Sequence, residues 1–242
     1  MDTVIRCHIK NEQRFELFKR TVQSWYDKEM YLLGDLQIVD DQSPEEYGMK
    51  VQQFCNDYNA FYHRTYYDAD TKNGLYYSLK IAKWFPVLCC VDDMVFGRNS
   101  VDFWTKIITN DLRKINEKWA CIGTFACYPR NVRNSFMDTS LWNIPNNALY
   151  ALVCHLYSKE FSEILINQYE KFKKGQELTE VERYNLSCCD DIWVARNAST
   201  YGFKCYNSQA YDYAQHTGMN QRTFTIDEVG NSNYMSEIFI GE

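Results

Sequence analysis

The 242-residue chain is short of glycine and proline, with 10 and 4 respectively. That excludes a collagen-like or low-complexity chain, and a 45% hydrophobic composition excludes a disordered one. No apolar stretch approaches the roughly 20 residues that a membrane span needs. There is no long Lys/Arg run either: 26 basic residues face 32 acidic ones, for a net charge of −6. Non-specific nucleic-acid binding and anchoring on an anionic membrane are therefore not expected. No C-x-x-C occurs, which argues against a zinc ribbon. A G-x-x-x-x-G-K-[ST] phosphate loop and a G-x-S-x-G nucleophile elbow are also missing. The first ten residues carry Asp2, Arg6 and Lys10, so no secretory signal is expected there.

What is present begins with ten cysteines. Two adjacent pairs, Cys89-Cys90 and Cys188-Cys189, and placement of the others in apolar stretches predict reduced, mostly buried thiols rather than a disulfide framework. Strand-like runs alternate with helical ones. Residues 3–9 and 36–39 read as strands, the second followed by Asp40-Asp41-Gln42-Ser43-Pro44. Ser43 is placed to cap a helix that Pro44 opens. Residues 61–66 read as a strand, 71–74 as a loop and 75–84 as a helix. The apolar run 86–91 ends abruptly in Asp92-Asp93. Further on, the pattern predicts a helix over 101–118, a strand over 119–128 and a polar, Asn-rich loop over 129–147. A helix capped by Ser158 over 159–173 follows, then another starting near Asp190-Asp191. This alternation predicts an α/β fold with a mostly parallel central sheet flanked by helices. Lacking a repeat or a linker, the whole of 1–242 reads as one domain. A nucleotide-binding half would occupy about 1–100, an acceptor-binding and catalytic half about 101–222, and a tail the rest.

Ligands of such sheets bind beyond the carboxyl ends of the strands. Polar clusters fall at those ends: Arg6 to Asn11, Asp40-Asp41, Lys72-Asn73-Gly74 and Asp92-Asp93. Two carboxylates side by side after a buried strand repel each other and lose solvation, which a divalent cation relieves. The alternative for Asp92-Asp93 is a strand end meeting solvent, with acids that cap a helix. An acid at the end of the second strand can hold a nucleoside, but Asp40-Asp41 also suits an ordinary turn. Asp190-Asp191 suits either simple N-terminal capping or a carboxylate base aimed at a hydroxyl. His216, in Gln215-His216-Thr217-Gly218, is a metal or phosphate ligand or a structural histidine.

Taken in order, these segments resemble the GT-A nucleotide-sugar glycosyltransferases, from Val4 to about Arg222. Val4 to Glu12 is similar to the family's first strand and its R/K-N-E shoulder, and Leu36 to Ser43 to the V-D-D-x-S segment. Lys72-Asn73-Gly74 resembles its x-N-x-G loop, and Cys90-Val91-Asp92-Asp93-Met94 its metal motif, with Val91 where the first acid of an E-D-D form stands, the favoured register, or Met94 where the second acid of a D-x-D form stands. Asp190-Asp191-Ile192-Trp193-Val194-Ala195-Arg196 resembles the E-D-x-x-ϕ-x-x-R block of inverting members, and Gln215 to Asn220 a Q-H-x-G-x-x-S block. The resemblance implies an inverting enzyme moving a sugar from a nucleoside-diphosphate sugar, UDP-linked in preference to GDP-linked, to an acceptor hydroxyl. Arg6, Asp40, Asp41, Lys72, Asn73, Gly74 and Asp92 would bind the donor nucleotide. Asp93 and His216 would hold Mn²⁺ or Mg²⁺. Asp191 would be the general base, supported by Asp190, and Trp142 and Asn143 would meet a glycan or glycoprotein acceptor. A cytosolic location, bacterial or viral, or a place within a larger transferase is the corresponding expectation. Two alternatives differ in class: a non-catalytic nucleotide- or sugar-binding protein with a degenerate metal motif, and a sugar-phosphate nucleotidyltransferase. The latter should carry a Gly-rich basic loop after the first strand, where His8-Ile9-Lys10-Asn11 has no glycine.

Overall fold

The computed structural model describes residues 1–66, 71–97, 99–123, 141–144, 154–208 and 214–216, with backbone alone at 71, 142–144, 207 and 214–216. Residues 129–140 and 145–147 of the Asn-rich stretch and the tail after 216 lie outside the described residues. The chain begins with β1 (Thr3–Cys7), α1 (Glu12–Asp27), β2 (Leu36–Asp40), α2 (Glu45–Asp57) and β3 (Phe61–Arg64). Next come α3 (Thr71–Ile81), β4 (Val87–Val91), β5 (Met94–Phe96), α4 (Ser100–Lys106) and β6 (Trp119–Gly123). The remainder is β7 (Leu141–Ile144), β8 (Cys154–Tyr157), α5 (Lys159–Lys173), α6 (Glu180–Leu186), α7 (Asp190–Thr200), β9 (Lys204–Ser208) and β10 (Ala214–His216).

Eight strands form one sheet in the order β3-β2-β1-β4-β8-β6-β9-β7, and β5 pairs with β10 separately. The β3-β2-β1-β4 portion is wholly parallel. Beyond β4, only β6 and β9 run parallel; β8 and β7 pair antiparallel with their neighbours. Parallel strands need both faces covered, so their residues are apolar in succession rather than in alternation. Accordingly Ile5, Ile38, Leu88 and Cys90 pack on one face with Phe18, Val22 and Trp25 of α1, Val51 of α2 and Trp104 of α4. Val4, Val39, Val87 and Cys89 pack on the other with Leu75 and Leu79 of α3, Phe161 and Leu165 of α5, and Trp193 of α7. The nine described cysteines are thiols, seven of them buried, and Cys127 lies outside the described residues.

Three local expectations need correction. Lys72, Asn73 and Gly74 are not a loop; they lie in the first turn of α3. Residues 101–118 do not make one helix: α4 ends at Lys106, widens into a π-turn over Ile107–Asp111 and tightens into a 3₁₀ turn over Leu112–Lys114. Ser43 does not cap α2, whose N-cap is Pro44 without a side-chain bond. The Ser43 hydroxyl instead accepts the Ile9 amide at 2.8 Å and ties the end of β1 to the turn after β2.

Candidate active site

The carboxyl ends of β1, β2, β3 and β4 form one edge, and β1 is the strand at which the chain order reverses. In an open α/β sheet that reversal is where a ligand crevice forms. Asp40 and Asp41 differ sharply there. Asp40 is 0% exposed, its Oδ1 accepting the Ser43 amide at 2.9 Å and its Oδ2 the Tyr62 hydroxyl at 2.8 Å. Arg64 sits 3.6 Å away, so Asp40 braces the turn. Asp41 is half-buried, and its Oδ1 accepts from Thr65 Oγ1 at 2.7 Å and Asn73 Nδ2 at 2.8 Å. Burial pushes its carboxyl pKa upward, against the pull of Thr65, Asn73, His8 and Arg6. Gly74 brings α3 close: a Cβ there would lie 3.2 Å from Asp41 Oδ2 and 3.6 Å from Arg6 Cδ. Lys72 donates to the Cys188 carbonyl at 2.6 Å, joining α3 to the segment that enters α7.

Asp92 and Asp93 follow β4 directly and are 2% and 4% exposed. The turn is fixed from α1: Thr21 Oγ1 bonds the Asp92 and Met94 carbonyls at 2.9 and 2.6 Å, and the Met94 amide donates to it at 3.0 Å. Ser24 Oγ accepts the Phe96 amide at 3.0 Å. Arg14, also on α1, spans both acids. Its Nε reaches Asp92 Oδ2 at 3.1 Å, Nη1 reaches Asp93 Oδ2 at 2.7 Å, and Nη2 bonds Asp92 Oδ1. Three of the four carboxylate oxygens thus accept from one guanidinium. Burial raises the Asp92 pKa, with Arg14 opposing.

The third cluster joins the start of α7 to β1. Arg6 Nη1 bonds Asp190 Oδ2 at 2.6 Å across 184 residues of sequence. Burial opposes the Arg6 charge, yet Asp190 more than offsets it and the guanidinium is held more firmly protonated than usual. Asp191, the next residue, is half-exposed in the first turn of α7, where the helix dipole favours an anion. Below them on β8 lies His155, 1% exposed, with neither ring nitrogen hydrogen-bonded. Burial and the nearby Arg6 push its pKa down to about 3.

The structure therefore brings Arg6, Asp41, Asn73, Gly74 and Asp190 together, with Lys72 tied alongside and Asp92-Asp93 at the adjacent strand end. His216 joins them through its backbone, since β10 pairs antiparallel with β5 and sets His216 opposite Met94. Trp142 and Asn143 do not join by backbone. They are on β7, the far edge strand, with β9, β6 and β8 between it and β4.

No family model and no curated protein matches the sequence. Solved structures do match in fold. S. aureus TarS (residues 1–349), a glycosyltransferase, superposes with a TM-score of 0.54 at 14% identity, over 88% of this chain and 59% of TarS. The mannosyltransferase PcManGT of Pyrobaculum calidifontis, in complex with GDP-Man and Mn²⁺, gives 0.54 at 11% identity, over 91% of this chain and 58% of that one. The 4-diphosphocytidyl-2C-methyl-D-erythritol synthase of Anaerococcus prevotii, a nucleotidyltransferase, gives 0.52 at 13% identity, over 98% and 97%. The chain has a GT-A-like fold. It spans about three-fifths of the two glycosyltransferases that it resembles.

The PcManGT complex contains Mn²⁺, and whether the donor set of this chain would fit such an ion can be judged from its own residues. Two hard carboxylates, buried at a strand end and already binding a cationic group, suit Mg²⁺ or Mn²⁺, which takes one or two carboxylates and leaves the other positions to water and phosphate. Among the described residues no three His, Cys, Asp or Glu cluster as a fuller cage. No helix among them is long and apolar enough to cross a membrane.

Sequence reading missed Arg14, Thr21, Thr65 and His155. Arg14 did leave a signal. Asn11 caps α1, its side chain accepting the Arg14 amide at 2.9 Å, which puts a cation in the first helical turn where the dipole disfavours it. A cation there calls for an acid nearby. His155 left a weaker one, as the single histidine of a buried strand otherwise made of Cys154, Leu156 and Tyr157.

Proposed function

We propose that this chain is a nucleotide-sugar glycosyltransferase that inverts the anomeric centre, with UDP-sugars preferred over GDP-sugars and a glycan or glycoprotein hydroxyl as acceptor. The observation that carries this reading is the Arg6–Asp190 pair, because it pins the start of α7, and with it Asp191, to the strand edge that holds Asp41 and Asp92-Asp93. In this reading Asp41, positioned by Thr65 and Asn73, meets the nucleoside, and Asp92 meets the ribose. Asp93, with His216, would hold Mn²⁺ or Mg²⁺, which when bound neutralises charge on the departing diphosphate. Asp191 takes the proton of the acceptor hydroxyl as its oxygen bonds the anomeric carbon. The bond from that carbon to the diphosphate oxygen breaks on the opposite face, and its electron pair leaves with the nucleoside diphosphate. Orientation by Arg6, Lys72 and Asp190 supplies the positioning part of the rate.

A nucleotidyltransferase is the second reading, favoured by the match over nearly the full length of both chains. The absence of a glycine in His8-Ile9-Lys10-Asn11 weighs against it. Incubation with Mn²⁺ and either nucleotide sugars or nucleoside triphosphate plus sugar phosphate separates the two. Release of nucleoside diphosphate supports the transferase, and release of pyrophosphate refutes it.

A further inference from the structure

Arg14 has no part in the mechanism above, yet it bonds three of the four oxygens of the Asp92-Asp93 pair. We infer that Arg14 is the exchangeable counter-ion of this pair: a divalent cation enters by displacing its guanidinium, which then turns to the donor's diphosphate. This rests on the glycosyltransferase reading and on Asp93 as a metal ligand.

The argument begins with desolvation. Two adjacent carboxylates that are 2% and 4% exposed cannot both stay ionised without a cation in contact. The carboxylates ride on a fixed main chain, because Thr21 bonds the backbone on both sides of Asp93. Arg14 is the movable partner, on a long side chain that is 18% exposed and anchored in a helix turn whose dipole disfavours it. Charge completes the case. Asp92, Asp93 and Arg14 together carry net −1, a poor receptor for a diphosphate. With a divalent ion held by Asp93, the same three residues and the ion would carry net +1, and the displaced guanidinium would be free to turn to the diphosphate. Arginine pairs with phosphate through two parallel N–H bonds. Metal and diphosphate therefore favour the same rearrangement, and each should strengthen the binding of the other.

The test measures Mn²⁺ binding to the full chain by electron paramagnetic resonance of the free ion, with and without UDP, for the wild type, Arg14→Gln and Arg14→Lys. Removing the competitor should tighten binding of Mn²⁺ alone by about ten-fold or more in Arg14→Gln, the equilibrium worth of one charge-assisted hydrogen bond. Arg14→Lys, with its charge kept and its fork lost, should fall between. Added UDP should strengthen Mn²⁺ binding in the wild type and do so less in Arg14→Gln. If Arg14→Gln is destabilised by its unpaired carboxylates, Mn²⁺ should raise its Tm more than it raises that of the wild type. Mn²⁺ affinity unchanged or weaker in Arg14→Gln, with sugar transfer by the wild type intact, overturns the exchange and leaves the transferase reading standing. Absence of Mn²⁺ binding in both proteins overturns the exchange and the metal assignment together.

Discussion

Two aspartate pairs at the same edge of the sheet are built in opposite ways. At Asp190-Asp191 the first acid is buried against Arg6 and the second is half-exposed at a helix start. Anchoring the first acid fixes the helix start that carries the second. At Asp92-Asp93 both acids are buried and both bind the same guanidinium, so neither is presented while Arg14 stays. A base must reach an incoming hydroxyl unaided, which suits the first arrangement. A cation seat must never be empty, which suits the second. Asp40-Asp41 follows the first pattern, with Asp40 saturated by Ser43 and Tyr62 and Asp41 turned toward Gly74.

Removing Arg6 should break the comparison hardest. Arg6→Met leaves Asp190 as an uncompensated buried charge, which costs about 3–5 kcal/mol. Denaturant unfolding should show that loss, and Asp190→Asn, which removes the charge, should recover much of it in the Arg6→Met background. Equal stability of wild type and Arg6→Met would mean that Asp190 does not depend on Arg6.

His155 sharpens the contrast by reporting how dry the floor beneath α7 is. Its folded pKa of about 3 lies below the ordinary 6.5, so the unfolded chain binds the extra proton first as pH falls. The stability difference attributable to this residue is fully present above pH 6.5 and declines toward pH 3, by up to about 1.4 kcal/mol per pH unit. Wild type should therefore lose stability to acid more steeply than His155→Phe. Parallel profiles would contradict a buried neutral imidazole.

The smallest effect separates Asp41 from Asp40. Asp41→Asn should weaken UDP binding about ten-fold, the worth of one charge-assisted hydrogen bond, with little change in Tm. Asp40→Asn should lower Tm instead, because it disturbs the bonds to the Ser43 amide and the Tyr62 hydroxyl. Calorimetry and thermal melting on the two variants check this, and the reverse pattern would exchange their roles.

The features legible in the sequence were those set by local chemistry. Ser158 caps α5 over Lys159–Lys173 as expected, its hydroxyl accepting the Phe161 amide at 3.3 Å. The starts of α7 at Asp190 and the end of β4 before Asp92 also follow from composition at the boundary. The parallel order of β1 to β4 followed from alternating elements. Local rules failed where distant contacts override them. Thr71-Lys72-Asn73-Gly74 reads as a turn, but Asn73 and Lys72 are held by Asp41 and Cys188, and the helix starts earlier. The β-branched run Ile107-Ile108-Thr109 has helical polarity, yet it crowds the turn and the helix unwinds there. Arg14 with Asp92, 78 residues apart, and Arg6 with Asp190 obey no period that a single chain displays.

The central claim is that Asp191 is the base of an inverting sugar transfer. Its most direct test compares wild type with Asp191→Asn on a transferred nucleotide sugar, following both rate and the anomeric proton coupling of the product by NMR. The account predicts a β-linked product from an α-linked donor and a rate lower by about 10²–10⁴ in Asp191→Asn, with donor binding preserved. An α-linked product, or an Asp191→Asn rate equal to that of the wild type, would contradict it.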